Sequence, residues 1–237
     1  MPNNTDPLDL YANIEDLLGL KEASPKLYAH YLLYLQSIDF DSLLDVGCGS
    51  GDFLVQMQKA LDIPQTKGID LSPLMIEKSL AKGLDASCSD LCTLAGKYDV
   101  ITAVFDMLNY LDKEALGTFL ACVSAHLPRG GVFLCDINTL YGFENVAVGS
   151  FIVDDGSRFL AIDSDFEAGV YHSEFTVFTQ EKVGFSKSQE TIKQYYHEIE
   201  ELNSLALSTN LSLISEDEVF LYDLEEADKH FLVLQKI

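Results

Sequence analysis

The sequence predicts an α/β protein: a mostly parallel sheet with helices on both faces, into which an antiparallel β meander is inserted. Three observations carry that expectation. From Ser42 to Asn138, short apolar runs alternate with segments of helical period. A glycine-rich turn, "DVGCGSGDF" (45–53), joins the first apolar run to the first of those helical segments. Beyond Tyr141 the helical period stops, and strand-like stretches separated by turn signals continue to Tyr196.

The elements follow in order. Residues 42–47 read as a buried strand, and 52–62 as a helix with Phe53, Met57 and Leu61 on one face. A strand over 66–72 ends near Asp70, and a helix over 72–83 has Ser72 as N-cap, Pro73 at its first position and Gly83 at its end. Residues 84–90, 98–105 and 130–138 are further strands, with a helix over 112–127 opened by acidic residues. Continuously apolar strands of this kind belong in a parallel sheet covered on both faces. Residues 150–196 read as a meander of three or four strands. Within it Tyr171, Phe175 and Val177 share one face, while His172, Glu174 and Thr176 share the other. A helix over 197–210 and strands over 211–223 and 229–237 close the chain and bring the main sheet to seven strands. The acidic run 223–228 reads as a solvated turn.

Of 237 residues, 48% are hydrophobic and 11% aromatic, enough for a sizeable core. The formal net charge of −23, from 38 acidic against 15 basic residues, repels phosphate backbones and anionic lipid. Neither nucleic acid nor a membrane surface is therefore expected as a partner, whereas a cationic ligand is compatible. The five cysteines lie mostly in apolar runs and read as reduced, buried thiols in a cytoplasmic protein. Cys88 and Cys92 alone do not make a metal site. The polar N-terminus is not a signal peptide, and no apolar run approaches the roughly 18 residues that span a bilayer.

Glycines at 47, 49 and 51 let a backbone approach a ligand closely. Their spacing is not the G-x-G-x-x-G of dinucleotide folds, and no G-K-[ST] follows. Asp52 would also repel a pyrophosphate. Asp70 ends the next strand about 20 residues on, where a carboxylate accepts hydrogen bonds from ribose hydroxyls. The ligand expected is thus adenosine-like and has no phosphate site.

"LLDVGCGSGDF" followed by "GIDLSPLMIEKS" closely resembles the class I S-adenosylmethionine-dependent methyltransferases. The resemblance covers residues 40 to 138 and implies a Rossmann-like methyltransferase fold with S-adenosyl-L-methionine as cofactor. It assigns Gly47, Cys48 and Gly49 to the loop facing the methionine moiety, and Asp45 to the acidic residue that orients the loop and the cofactor's amino group. By the same resemblance Asp70 holds the ribose, Leu71 and Met75 flank the adenine, and Asp90, beside Leu91, meets the adenine amino group. Phe105 lies beside the methyl donor, and Tyr11 and Tyr28 are similar to tyrosines that fold over the cofactor.

"ETIKQYYHEIEEL" is similar to the E-x-H-x-Q-x-Y stretch of bacterial small-molecule members, among them amino-sugar N-methyltransferases. Here Ile192 stands at the histidine position. The expected division is a core of residues 1–142 and 197–237 and a cap of residues 143–196 over the acceptor site. The candidate catalytic side chains are His172, Tyr196 and His197, with Glu174 on the same polar face as His172 and Tyr110 a candidate pocket residue. The expected reaction moves a methyl group to a nitrogen or oxygen of a small molecule. A protein methyltransferase and a non-catalytic cofactor-binding protein are the alternatives. A homodimer is the one protein partner that exposed strand edges would allow.

Overall fold

The apolar runs become the interior of one sheet, and their two faces separate two cores. A computed structural model describes residues 7–222 and 224–237, without the side chains of 7–9 and 20–23. Residues 1–6 of the N-terminus judged unlike a signal peptide, and Asp223 of the acidic turn, lie outside the described residues.

Strands β1 (Ser42–Val46), β2 (Gln65–Asp70), β3 (Ala86–Cys88), β4 (Val100–Ala103) and β5 (Val132–Asn138) pair in parallel. The last two strands of the chain, β10 (Leu211–Val219) and β11 (Lys229–Lys236), complete the sheet antiparallel, in the order β10-β11-β5-β4-β1-β2-β3. β1 is flanked by β2 on one side and β4 on the other, so the strand order reverses there. A crevice opens at the carboxyl ends of the strands at such a switch point.

Neighbouring residues of β1 show why two layers of helix are needed. Leu43 packs with α2 (Leu20–Leu35) and α3 (Asp52–Ala60), through Leu27, Tyr31, Phe53 and Met57. Leu44 points the other way, into a core shared with α5 (Lys113–His126) and α6 (Ile199–Ser208). Both leucines are fully buried. Helix α4 (Pro73–Ala81) starts where expected, with Ser72 Oγ accepting the Met75 N–H.

The meander has four antiparallel strands, β6 (Gly149–Asp154), β7 (Arg158–Glu167), β8 (Val170–Gln180) and β9 (Phe185–Tyr195). Its inner face packs against the N-terminal helix α1 (Pro7–Ile14) in a third apolar cluster of Leu10, Ile14, Leu160, Phe175 and Val177. Arg158 fastens the same helix and the turn after it from the meander, donating to Asn13 O at 2.8 Å and to both carboxylate oxygens of Asp16. The outer face leaves Ile152, Phe159 and Phe178 exposed.

Two expectations are corrected. Cys92 and Cys122 form a disulfide, because the turn Leu91–Thr93 packs on α5 and brings two residues 30 apart in sequence to a Cα separation of 5.1 Å. Cys88 is exposed, so only Cys48 and Cys135 are buried free thiols. The acidic turn is not solvated to its end: Asp228 is buried and accepts the Leu221 N–H at 2.7 Å. Among the described residues, no helix is long and apolar enough to cross a membrane.

Leu160 is fully buried at the centre of the α1–meander cluster. Leu160→Ala is expected to cost about 2–5 kcal/mol in denaturant unfolding of this unit. It should also speed proteolysis within residues 7–18, where α1 loses its support.

Candidate functional site

The turn after β1 folds onto the end of β2. Gly47 and Cys48 both donate their N–H groups to Ile69 O, at 2.8 and 3.0 Å, and Gly51 N–H bonds Cys48 O. Gly49 N–H donates to Asp70 Oδ2 at 2.9 Å. These donors are taken internally, so the loop does not offer the ring of free N–H groups that cradles a pyrophosphate. The glycines differ in what they face. At Gly51, with φ +82°, a Cβ would lie 2.2 Å from Leu84 Cδ1. At Gly49, with φ +53°, a Cβ would meet nothing within 4 Å, so the backbone there borders open space.

That space is a cavity of about 1190 Å³. The side chains and loop backbone that the resemblance assigns to a cofactor, Tyr28, Asp45, Gly47, Cys48, Gly49, Asp70, Leu71, Met75, Asp90, Leu91 and Phe105, all line it. Asp70 sits at its rim. One carboxylate oxygen holds Gly49 and the other accepts Ser72 N–H at 2.8 Å, leaving lone pairs for a further donor. Asp90 caps its turn by accepting Cys92 N–H at 2.7 Å.

Asp45 is buried at the end of β1 and accepts the Thr102 hydroxyl at 2.7 Å. Burial pushes its carboxyl up to about 7; the Thr102 bond opposes the rise and the nearby Asp70 charge adds to it. Tyr28 closes the same corner, edge-on to Phe53 at 5.2 Å and to Phe105 at 5.7 Å. The short helical turn Glu15–Leu17 reaches the cavity from the N-terminal side: Glu15 accepts Ser50 Oγ at 3.0 Å and lies 3.6 Å from Lys78 Nζ.

Beyond β4 the backbone turns through two consecutive left-handed residues, Phe105 (φ 60°) and Asp106 (φ 49°). Side chains disfavour this conformation, Phe more than Asp. It is held by a fully buried carboxylate: Asp136 accepts the N–H groups of Phe105 and Asp106, both at 2.8 Å, and the Tyr31 hydroxyl at 2.7 Å. Lys229, buried at the start of β11, lies 2.5 Å from Asp106 Oδ1, 3.2 Å from Asp136 Oδ2 and 2.8 Å from Asn138 Oδ1. Burial works against its ammonium, but the two carboxylates outweigh that and lift its pKa above the ordinary lysine value. Gln194 of β9 donates to the other oxygen of Asp106. The sequence reading missed this network. Its signal was the charge in "VFLCDIN", since an aspartate inside an apolar strand requires partners.

A second cavity of about 160 Å³ lies between this turn and the meander, bordered by Tyr11, Phe105, Asp106, Tyr110, Tyr171, Ser173, Phe175, Ile192 and Gln194. The candidate catalytic groups are not gathered there. His172 and Glu174 lie on the opposite face of β8, His172 3.6 Å from Asp165 and Glu174 against Gln189. The face looking inward is that of Tyr171, Ser173 and Phe175, because α1 packs on that side. His197 is buried with Nε2 3.2 and 3.0 Å from the carbonyls of Leu108 and Leu111; burial lowers its pKa. It therefore ties down the turn Met107–Tyr110 rather than facing a ligand. Tyr196 lines neither cavity. Ile192, at the histidine position of the motif, lines both.

Residues 43–131 match the family model of the methyltransferase domain. A protein of Geobacillus sp. (strain WCH70), named for methyltransferase activity, is 26% identical over 173 residues, 67% of this chain and 69% of its own length. Among solved structures, an S-adenosylmethionine-dependent methyltransferase from Clostridium acetobutylicum ATCC 824 superposes with a TM-score of 0.76 at 22% identity, over 97% of this chain and 99% of that one. A sugar N-methyltransferase from Streptoalloteichus sp. gives 0.71 at 17% identity, over 96% and 92%. At these identities the structural likenesses establish the fold.

The contrast between the glycines gives a paired test. Gly51→Ala should destabilise the protein by about 2 kcal/mol or more, through strain and overlap with Leu84. Gly49→Ala meets no neighbour, so thermal melting should show a smaller loss than for Gly51→Ala, while ligand titration shows weakened binding in the large cavity.

Proposed function

Because residues 43–131 form a methyltransferase domain on the class I fold, we propose that the chain transfers the methyl group of S-adenosyl-L-methionine to a nitrogen or oxygen of a small molecule. One observation supports this above the others. The N–H groups of Gly47, Cys48, Gly49 and Gly51 are internally satisfied while Asp70 lines the cavity beside them, which suits a ribose without a pyrophosphate. The acidic lining and the open border at Gly49 fit a cofactor that carries both a sulfonium and an ammonium. When bound, the cofactor supplies a methyl group already activated for in-line displacement.

The chain's own residues then orient and exclude. Asp70 accepts from the ribose hydroxyls, and Met75, Leu71 and Leu91 flank the adenine, with Asp90 at its amino group. Asp45 balances the positive charge at the methionine end, and Phe105 with Tyr28 closes off water beside the reacting carbon. Holding donor and acceptor collinear in a dry site is the main contribution such a reaction asks of a protein. In this reading residues 143–196 act as the acceptor-side cap: β8 and β9 border the second cavity. That cavity is bordered by the meander and Tyr11 of α1, and its volume of about 160 Å³ suits a small acceptor better than a protein surface.

Calorimetric titration should show binding of S-adenosylmethionine and S-adenosylhomocysteine; binding of NAD in preference to either would overturn the reading. Asp70→Ala should weaken cofactor binding by about 1.5–3 kcal/mol, the scale of a hydrogen bond to a charged group, in a protein that still folds.

The raised pKa of Asp45 gives a pH dependence. In the unfolded chain this group ionises near pH 4 and in the folded chain near 7. The folded state binds the extra proton between those values, so this residue's contribution to stability falls as pH rises from about 4 to 7. A cationic ligand favours the ionised form. Cofactor affinity should therefore rise with pH, by at most about tenfold per unit, and level off above pH 7. Asp45→Asn should flatten that profile; an unchanged slope in the variant would contradict the assignment.

A further inference from the structure

We propose that the Cys92–Cys122 disulfide is a redox control on the adenine end of the large cavity. Formed, it braces the turn that meets the adenine; reduced by a dithiol, it releases that turn and weakens cofactor binding. This adds a regulation to the site assigned above and rests on that reading.

The position of the bond is the starting point. Cys92 lies in the turn Leu91–Thr93, directly after Asp90 and Leu91, the two residues of this segment assigned to the adenine. Ser89, Asp90, Leu91 and Cys92 all line the cavity. Cys92 itself aims Asp90, whose Oδ1 accepts the Cys92 N–H at 2.7 Å. The strand that leads into the turn gives it little support: β3 is three residues long and stands at the edge of the sheet, paired to β2. Of the turn's own residues only Leu91 is buried. The disulfide ties this turn covalently to a helix that builds another part of the same cavity. Ala115, Thr118 and Phe119 of α5 line it, and Cys122 follows Thr118 and Phe119 by one helical turn. The bond therefore joins two walls of one site.

Access and reversibility fit a switch. Cys92 is exposed and Cys122 half-buried, so an incoming thiolate reaches Cys92 Sγ first. Its attack breaks the S–S bond, releases the Cys122 thiolate and leaves a mixed disulfide on Cys92. The second thiol of the dithiol then displaces Cys92. Two electrons and two protons pass from the dithiol to the cysteine pair, and the dithiol leaves as its own disulfide. The two segments stay neighbours after reduction. Leu91 packs in the core that contains Leu116, Leu120 and Val123 of α5. The His126 ring also spans the gap, with Nε2 3.0 Å from Leu94 O and Nδ1 2.7 Å from Cys122 O. The thiols are thus held close enough for the bond to form again.

The test titrates S-adenosylhomocysteine calorimetrically into two samples of the wild type. One is oxidised with glutathione disulfide and freed of it, with the internal bond checked by mass spectrometry; the other is reduced with dithiothreitol. The oxidised form should bind at least about fivefold more tightly, the lower end of ordinary coupling between two sites. Cys122 is outside the cavity lining, so Cys122→Ser removes the bond without changing the wall. It should bind like the reduced wild type, with or without dithiothreitol. Coupling is reciprocal, so saturating S-adenosylhomocysteine should make the pair harder for glutathione to reduce, by the same factor in the equilibrium constant. This third readout stands even if the variant fails to fold. Affinities within about twofold in the two states, or oxidation that yields no Cys92–Cys122 bond, overturn the proposal and leave the cofactor reading standing. Loss of the far-ultraviolet circular dichroism of the fold on reduction makes the bond a staple of the whole chain and overturns it as well. Failure of the oxidised wild type to bind S-adenosylhomocysteine overturns the cofactor reading and this proposal with it.

Discussion

The carboxylate of Asp136 organises both cavities. It sits in the fifth strand, sealed from water, and accepts the two backbone N–H groups that follow the fourth strand. Those bonds hold Phe105 and Asp106 in a left-handed backbone that neither would adopt freely, at about 1–3 kcal/mol each. The consequence is positional. Phe105 is turned beside the large cavity and Tyr28, and Asp106 is turned into the small one. A buried charge needs partners as much as it gives them. Tyr31 from α2 and Lys229 from the last strand supply them, so the N-terminal helices and the C-terminal strand pair are drawn to the same point.

The surroundings of that point explain how an acidic chain can serve a charged cofactor. A net charge of −23 is a liability for phosphate ligands and an advantage for a sulfonium. Asp45 and Asp70 line the large cavity and Asp106 the small one beside it, and each is restrained differently. Thr102 holds Asp45, loop and helix N–H groups hold Asp70, and Lys229 with Gln194 holds Asp106. The short turn Glu15–Leu17 that follows the N-terminal helix borders the crevice and is fastened from two directions, by Glu15 near Lys78 on the core and by Asp16 on Arg158 of the meander.

Much of this could be read from the chain, and the reason is locality. The parallel strands announce themselves as apolar runs because both their faces are covered. The loop and Asp70 announce themselves because a turn and the next strand end are close in sequence. The contributions that stayed hidden come from long range. Helix α1 has an apolar face, but its partner Phe175 lies in a meander far along the chain. Lys229 reaches Asp106 across 123 residues. The alternation in β8 told which residues share a face without telling which face looks inward. The polar one, with His172 and Glu174, is the one the sequence offers to an acceptor, and packing of the other face against α1 turns it outward. Cys92 and Cys122 likewise became partners only through the packing of a turn on α5.

The measurement that bears most directly on the account is a crystal structure of the chain with S-adenosylhomocysteine. The ribose hydroxyls are expected on the Asp70 carboxylate with its Gly49 bond kept, the adenine between Met75 and Leu91, and the sulfur turned toward Phe105 and the small cavity. A ligand seated elsewhere, or one whose ribose points away from Asp70, would contradict it.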